Sequence, residues 1–255
     1  MYKPIVLIGI GEMGGVFARG MLRNGYPVYP VTRDISLSET ESRIPNPEMV
    51  LVAVGENDLA SVLSSLPDTW RNRVCLLQNE LLPEDWQGLT DPTIISVWFE
   101  KKTGKEAKVI IPSPVYGPHS PLIGRALSSL NISTKILQSQ AELLFELVLK
   151  NVYILTTNIA GLKTGGSVGE LWNQHQDFAR DIATEVIEIQ ESLTRSSFDT
   201  ASLIQAMQTA FDGDPDHQCM GRSAPARLSR AISHADKYGL AVPLLRQLQT
   251  IQTVP

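Results

Sequence analysis

An early glycine-spaced turn leaves this chain few folds to choose from. Gly9-Ile10-Gly11-Glu12-Met13-Gly14 follows the apolar run Ile5-Val6-Leu7-Ile8 and leads into an amphipathic stretch closed by Gly25. A G-x-G-x-x-G pattern between a strand and a helix has a physical rationale. Gly9 permits the tight turn, Gly11 lets backbone N–H groups approach a pyrophosphate, and Gly14 lets the helix lie close to the strand. The helix N-terminus adds partial positive charge facing the anion. Glu12 and Met13 fill the intervening positions and join the glycines as candidate dinucleotide contacts.

The rest of the first half repeats the rhythm that this turn begins. Val28–Val31, Met49–Val54, Val74–Leu77 and Thr93–Trp98 are further buried-strand runs, followed by a weaker one at Lys108–Ile111. Near-continuous apolar strands are what a parallel sheet covered on both faces requires. Helices are expected at about Met13–Asn24 and Asn57–Leu66, the second followed by Pro67. Beyond residue 138 the strands vanish. Ala141–Gly161 reads as a long helix, Gly165-Gly166 as a break, and Ser167 as a cap for the next helix. That helix carries the stripe Phe178, Ile182, Val186, Ile189 and Leu193. A helix around Leu228–Tyr238 is stopped by Gly239, and Pro243 opens a last one. The expected fold class is α/β. A Rossmann domain with a doubly wound, mainly parallel sheet occupies 1–135, and an all-helical domain for substrate and dimerisation occupies 136–255.

Composition removes several functions. Hydrophobic residues make up 43%, and the formal charge of −5 comes without a basic block, so no nucleic-acid partner is expected. No continuous apolar stretch approaches the ~20 residues of a membrane span. Ile5–Ile10 is too short for a secretory signal. Two cysteines make no disulfide framework, which favours a reducing, cytoplasmic setting. His217-Gln218-Cys219, with Asp214, Asp216 and His234 nearby, matches no zinc spacing, and no metal is expected. No Ser or Cys sits in a nucleophile elbow, so hydrolase chemistry has no support.

Coenzyme choice is read at the end of the second strand, where a carboxylate would bind a ribose 2′-hydroxyl and repel a 2′-phosphate. Thr32-Arg33 stands there, with Asp34 one residue on. Arginine is a bidentate phosphate ligand, so NADP is favoured over NAD. Val54 and Gly55 after the third strand, and Asn79 after the fourth, stand where open α/β sheets bind ligands.

Read together, Gly9 to Arg33 resembles the 6-phosphogluconate-dehydrogenase-like group of Rossmann reductases. Leu76-Leu77-Gln78-Asn79, Leu149-Lys150 through Asn158, Gly161-Leu162, Val168-Gly169-Glu170-Leu171-Trp172 and Tyr238 to Pro243 resemble ketopantoate reductases (2-dehydropantoate 2-reductases), in order along the whole chain. The resemblance implies hydride transfer from NADPH to a ketone of a small carboxylic acid, completed by a lysine on the first helix of the second domain. That residue is Lys150. Asn158 lies eight positions on, roughly 12 Å along a helix axis, on the same side. An ammonium group there stabilises the charge that develops on the carbonyl oxygen and can donate the proton. Asn79 would orient nicotinamide or substrate. A helical-domain homodimer is also implied.

The departures are specific. Ile154 stands where the family has a second asparagine, and Val54-Gly55-Glu56 lacks the family's lysine after strand three. Gly221-Arg222-Ser223-Ala224-Pro225-Ala226-Arg227 lacks its substrate-binding glutamate. These point away from ketopantoate, with Arg222 or Arg227 available to a substrate carboxylate. The same losses motivate a second reading, a non-catalytic NADP-binding sensor or scaffold. A hydroxyisobutyrate-dehydrogenase-like enzyme is a third and weaker reading, because that group's glycine-rich approach to its lysine is missing from Phe145 to Leu149.

Overall fold

The computed structural model describes residues 2–253, and the chain divides into two compact units, the first ending at Glu146 and the second starting at Leu147. In the first, β1 (Ile5–Ile8), β2 (Val28–Val31), β3 (Met49–Val52), β4 (Val74–Leu76) and β5 (Thr93–Ile95) are joined by β8 (Ser113–Tyr116) and β9 (Thr134–Ile136). These seven strands run in the order β2-β1-β3-β4-β5-β8-β9. Pairing is parallel from β2 to β5, antiparallel between β5 and β8, and parallel again between β8 and β9. The second strand lies on one side of β1 and the third on the other, so the order reverses between β1 and β3. Such a reversal opens a crevice beyond the carboxyl ends of the strands.

Four helices accompany the sheet: α1 (Glu12–Arg23), α2 (Leu37–Arg43), α3 (Glu56–Ser64) and α4 (Ser120–Ser128). A short hairpin, β6 (Phe99–Glu100) with β7 (Lys108–Val109), stands apart from the main sheet. The core is formed by β1, β3 and β4 side chains with Val16, Phe17 and Met21 of α1 and Ile123, Ala126 and Leu127 of α4. The run expected to be one strand from Thr93 to Trp98 ends at Ile95, and the chain turns toward the hairpin. The Trp98 N–H there donates to Ser113 Oγ at 2.9 Å instead of to a strand neighbour.

The second unit is helical. It takes up α5 (Gln140–Thr164) and continues through α6 (Val168–Gln174), α7 (Gln176–Thr194), α8 (Thr200–Gly213), α9 (Ala224–Tyr238) and α10 (Pro243–Thr253). Ser167 caps α6 in a reciprocal box, accepting from Glu170 N–H while Glu170 accepts from Ser167 N–H at 2.8 Å. The helix expected to run on from that cap breaks at His175, whose φ of −136° and ψ of 35° are not helical, so two helices stand where one was expected. Gly239, at φ 68°, ends α9 as a left-handed cap. Glu185 holds the start of α10, its two carboxylate oxygens accepting from Leu244 and Leu245 N–H at 2.9 Å each. The stripe Ile182, Val186 and Ile189 of α7 is fully buried in this unit.

The division falls inside α5, after Glu146, and not at the expected 135/136 boundary. The opening turns of α5 belong with the sheet. Leu143 and Leu144 line a hollow with Ile94 and Tyr116, and Lys135 pairs with Glu146 at 2.9 Å. α5 bears on the expectation on membrane spans, which concerned continuous apolar stretches. By length and average composition it could cross a bilayer, with a mean hydropathy of 1.3, because Thr, Asn and Gly are carried by long apolar stretches around them. In this structure 83% of that window is buried within the protein.

Candidate functional site

The turn after β1 lies at the sheet's reversal point. Gly9 adopts φ 91°, and a Cβ on it would sit 2.7 Å from the Ala53 carbonyl oxygen and 3.1 Å from Val54 Cγ1. The turn therefore leans directly on the end of β3, and only glycine fits. A Cβ on Gly14 would collide with the Gly9 carbonyl oxygen. Gly11 is different: φ is −70°, and a Cβ there would meet nothing within 4 Å. Neither backbone strain nor protein packing demands glycine at this position.

Gly11 is the N-cap of α1 and, being glycine, offers no side chain to cap the first turn's N–H groups. Gly55 is likewise the N-cap of α3 and offers no capping side chain, and an added Cβ there would also meet nothing within 4 Å. Two helix ends, each with a glycine where a capping side chain could stand, thus border the crevice, and helix N-termini bind an anion well. Glu12 and Met13 occupy the first turn of α1, Glu12 exposed and Met13 half-buried. Glu12 accepts from Thr103 Oγ1 at 2.7 Å and pairs with Lys101 at 3.1 Å, and these donors hold its carboxyl below the usual range.

Thr32 and Arg33 follow β2 and are exposed. Arg33 Nη2 lies 3.3 Å from Asp58 on α3, so a carboxylate already neighbours the guanidinium. Asn79 is exposed in the turn after β4. Its neighbour Gln78, passed over in the sequence, is buried and ties strand ends together. Gln78 Nε2 donates to the Val52 and Val54 carbonyls at 2.8 and 3.3 Å, and its Oε1 accepts from Leu77 N–H at 3.1 Å. Two consecutive amides at a strand end were the available signal, and the buried one is the brace.

In the helical unit, Lys150 is half-buried on α5 with Nζ 5.7 Å from the centre of the Tyr153 ring. Asn158 is buried two turns further on. Its Nδ2 donates to the Ile154 carbonyl at 2.9 Å, and its Oδ1 accepts from Arg227 Nη1 at 3.2 Å. Arg227 is itself buried on α9, whereas Arg222 is exposed. Of the two arginines proposed to meet a carboxylate, Arg227 is therefore the one with a fixed guanidinium. Asn158 both restrains it and is restrained by the helix.

Among the described residues no group of three His, Cys, Asp or Glu side chains is arranged to hold a metal. His217 packs its ring 6.1 Å from Tyr153, and Gln218 bridges to Ser167. Cys75 and Cys219 are free, buried thiols; burial raises both, and with Glu170 nearby Cys219 reaches about 11.

No family model and no curated protein matches this sequence. Solved structures do match in shape. The 2-dehydropantoate 2-reductase from Methylococcus capsulatus superposes with a TM-score of 0.70, covering 98% of this chain and 95% of its own at 12% identity. The dimeric ketopantoate reductase from Staphylococcus aureus gives 0.65, with 97% and 96% covered at 15% identity. This chain has the ketopantoate-reductase fold. D-mandelate dehydrogenase, solved with NADH and anilino(oxo)acetate, shares that fold at a TM-score of 0.66, with 96% of each chain covered at 13% identity. The ketopantoate-reductase fold thus extends over nearly the full length of both units, as the order of the sequence motifs implied.

Proposed function

We propose that this chain is a hydride-transfer reductase that uses NADPH to reduce a small keto or imino acid other than ketopantoate. The observation that carries the reading is the open flank of Gly11 at a helix N-terminus with no N-cap side chain, where the protein itself has no need of glycine. The residues fit a dinucleotide. Gly9, Gly11 and Gly14 with Glu12 and Met13 would face the pyrophosphate, Val54 and Gly55 would border it from α3, and Thr32 and Arg33 would meet the adenosine end. When bound, the nicotinamide supplies the hydride.

The remaining steps belong to the chain's own side chains. Arg227, steadied by Asn158, pairs with the substrate carboxylate. Lys150 sets its ammonium against the carbonyl oxygen, stabilises the charge that grows there, and gives up one proton to form the hydroxyl. Asn79 orients the reacting groups by hydrogen bonding. The free thiols suit a reducing cytoplasm, and the dimeric state of the Staphylococcus aureus enzyme suggests a homodimer here too.

Titration with NADPH and NADH, followed by a panel of keto and imino acids scored for coenzyme oxidation, tests the proposal. Turnover with any member of the panel supports it, and absence of coenzyme binding overturns it. Tight binding without oxidation across the panel instead supports a coenzyme sensor, a reading favoured by the missing carboxylate between Gly221 and Arg227.

Two substitutions address the ends of the site. Arg33→Ala is expected to weaken NADPH about tenfold while NADH changes little, since only the 2′-phosphate is affected. The neighbouring Asp58 keeps that preference from growing larger. Arg227→Met is expected to raise KM for the keto acid about a hundredfold and to remove the enzyme's discrimination against the corresponding methyl ester. Steady-state kinetics with the acid and ester pair checks this.

A further inference from the structure

Lys101 comes from the β6–β7 hairpin, yet it lines the same hollow as the start of α1. The hollow measures about 450 Å3 and is bordered by Gly11, Glu12, Gly15, Arg19 and Lys101. The Lys101 side chain is only 15% exposed, its Nζ 3.1 Å from Glu12 Oε2 and 2.7 Å from the Lys102 carbonyl oxygen. Thr103 of the same hairpin donates to Glu12, and Glu106 reaches Arg19 at 3.6 Å. Three contacts therefore hold this hairpin against α1.

The charges in the hollow call for a cation. A dinucleotide pyrophosphate brings two negative charges, and the end of α1 offers about half a positive one. Glu12 adds a negative charge in the same turn. The chain has no lysine after strand three, where Val54-Gly55-Glu56 stands. Arg19, the other cation bordering the hollow, lies two turns deeper in α1 and faces Glu106. Lys101 remains next to the glycines. We propose that Lys101 is a ligand of the coenzyme's bridging phosphates, reaching them from its pair with Glu12, whose carboxylate competes with the phosphates for the ammonium. This rests on the dinucleotide reading above.

The test is calorimetric titration of wild type, Lys101→Met, Lys101→Arg and Glu12→Gln with NADPH and with NADH. Lys101→Met should weaken both coenzymes equally, by about tenfold, the worth of one charge-assisted hydrogen bond to a group they share. Lys101→Arg should keep most of the affinity. Glu12→Gln should strengthen both about threefold, because it removes a negative charge beside the phosphates. If the pair served only to fasten the hairpin, both substitutions would weaken binding together, and the proposal would be overturned. Unchanged affinity in Lys101→Met, or a loss confined to NADPH, would also overturn it. Failure of the wild type to bind either coenzyme would remove the dinucleotide reading itself, a result seen before any variant is made.

Discussion

Lys150→Ala is expected to lower kcat by about a hundred- to ten-thousand-fold, the range for losing a positioned proton donor that also stabilises developing charge. Coenzyme affinity should hardly change, since the coenzyme contacts named above lie in the other unit. Stability should move little as well. The contact with Tyr153, at 5.7 Å, is of a kind worth about 0.5–1 kcal/mol at exposed sites. Stopped-flow single turnover on the variant, alongside a coenzyme titration and a thermal melt, separates these quantities. Retained turnover would remove Lys150 from the mechanism. A collapse of kcat accompanied by unfolding would mean that the lysine supports the helix and not the chemistry.

The second large effect separates two glycines only three positions apart. Gly11→Ala should leave the melting temperature nearly unchanged, because the new methyl meets nothing within 4 Å. It should weaken NADPH and NADH by about a hundredfold, because the methyl stands where the phosphates approach the backbone. Gly14→Ala should do the reverse in stability. Its methyl collides with the Gly9 carbonyl, and overpacking of this kind costs about 1–3 kcal/mol, or roughly 3–10 °C in a chain of this size. Differential scanning calorimetry paired with coenzyme titration reads both. If Gly11→Ala binds coenzyme normally, the open flank has another purpose and the proposed site loses its foundation.

The elements visible in the sequence share one property, that their cause is local. β1, β3 and β4 are uninterrupted apolar runs, and a strand buried on both faces has to be one. α9 ends at Gly239 because a left-handed residue there closes a helix. α2 and α4 escaped notice for an equally physical reason. Leu37–Arg43 buries only Thr40, so it carries no apolar stripe, and Ser120–Ser128 opens with a proline shortly after Gly117-Pro118. β8 contains Pro114, which argues against a strand in the sequence, yet the strand pairs with β5 and β9. β9 is largely exposed, so its three residues lack the apolar pattern of a buried strand.

The candidate site divides in the same way. The glycine turn, Arg33, Asn79, Lys150 and Asn158 are readable because each sits at a fixed offset from a strand end or within a helix. Their partners are not. Asn158 meets Arg227 across 69 residues, Glu12 meets Thr103 across 91, and Arg33 meets Asp58 across 25. By itself the sequence determined those strands, turns and helix ends whose cause lies in a few neighbouring residues, such as β1, β3, the turn at Gly9 and the end of α9 at Gly239. Tertiary structure alone decided which charges face one another. Strand order and helix packing bring distant residues to one place, and no local pattern records where they arrive.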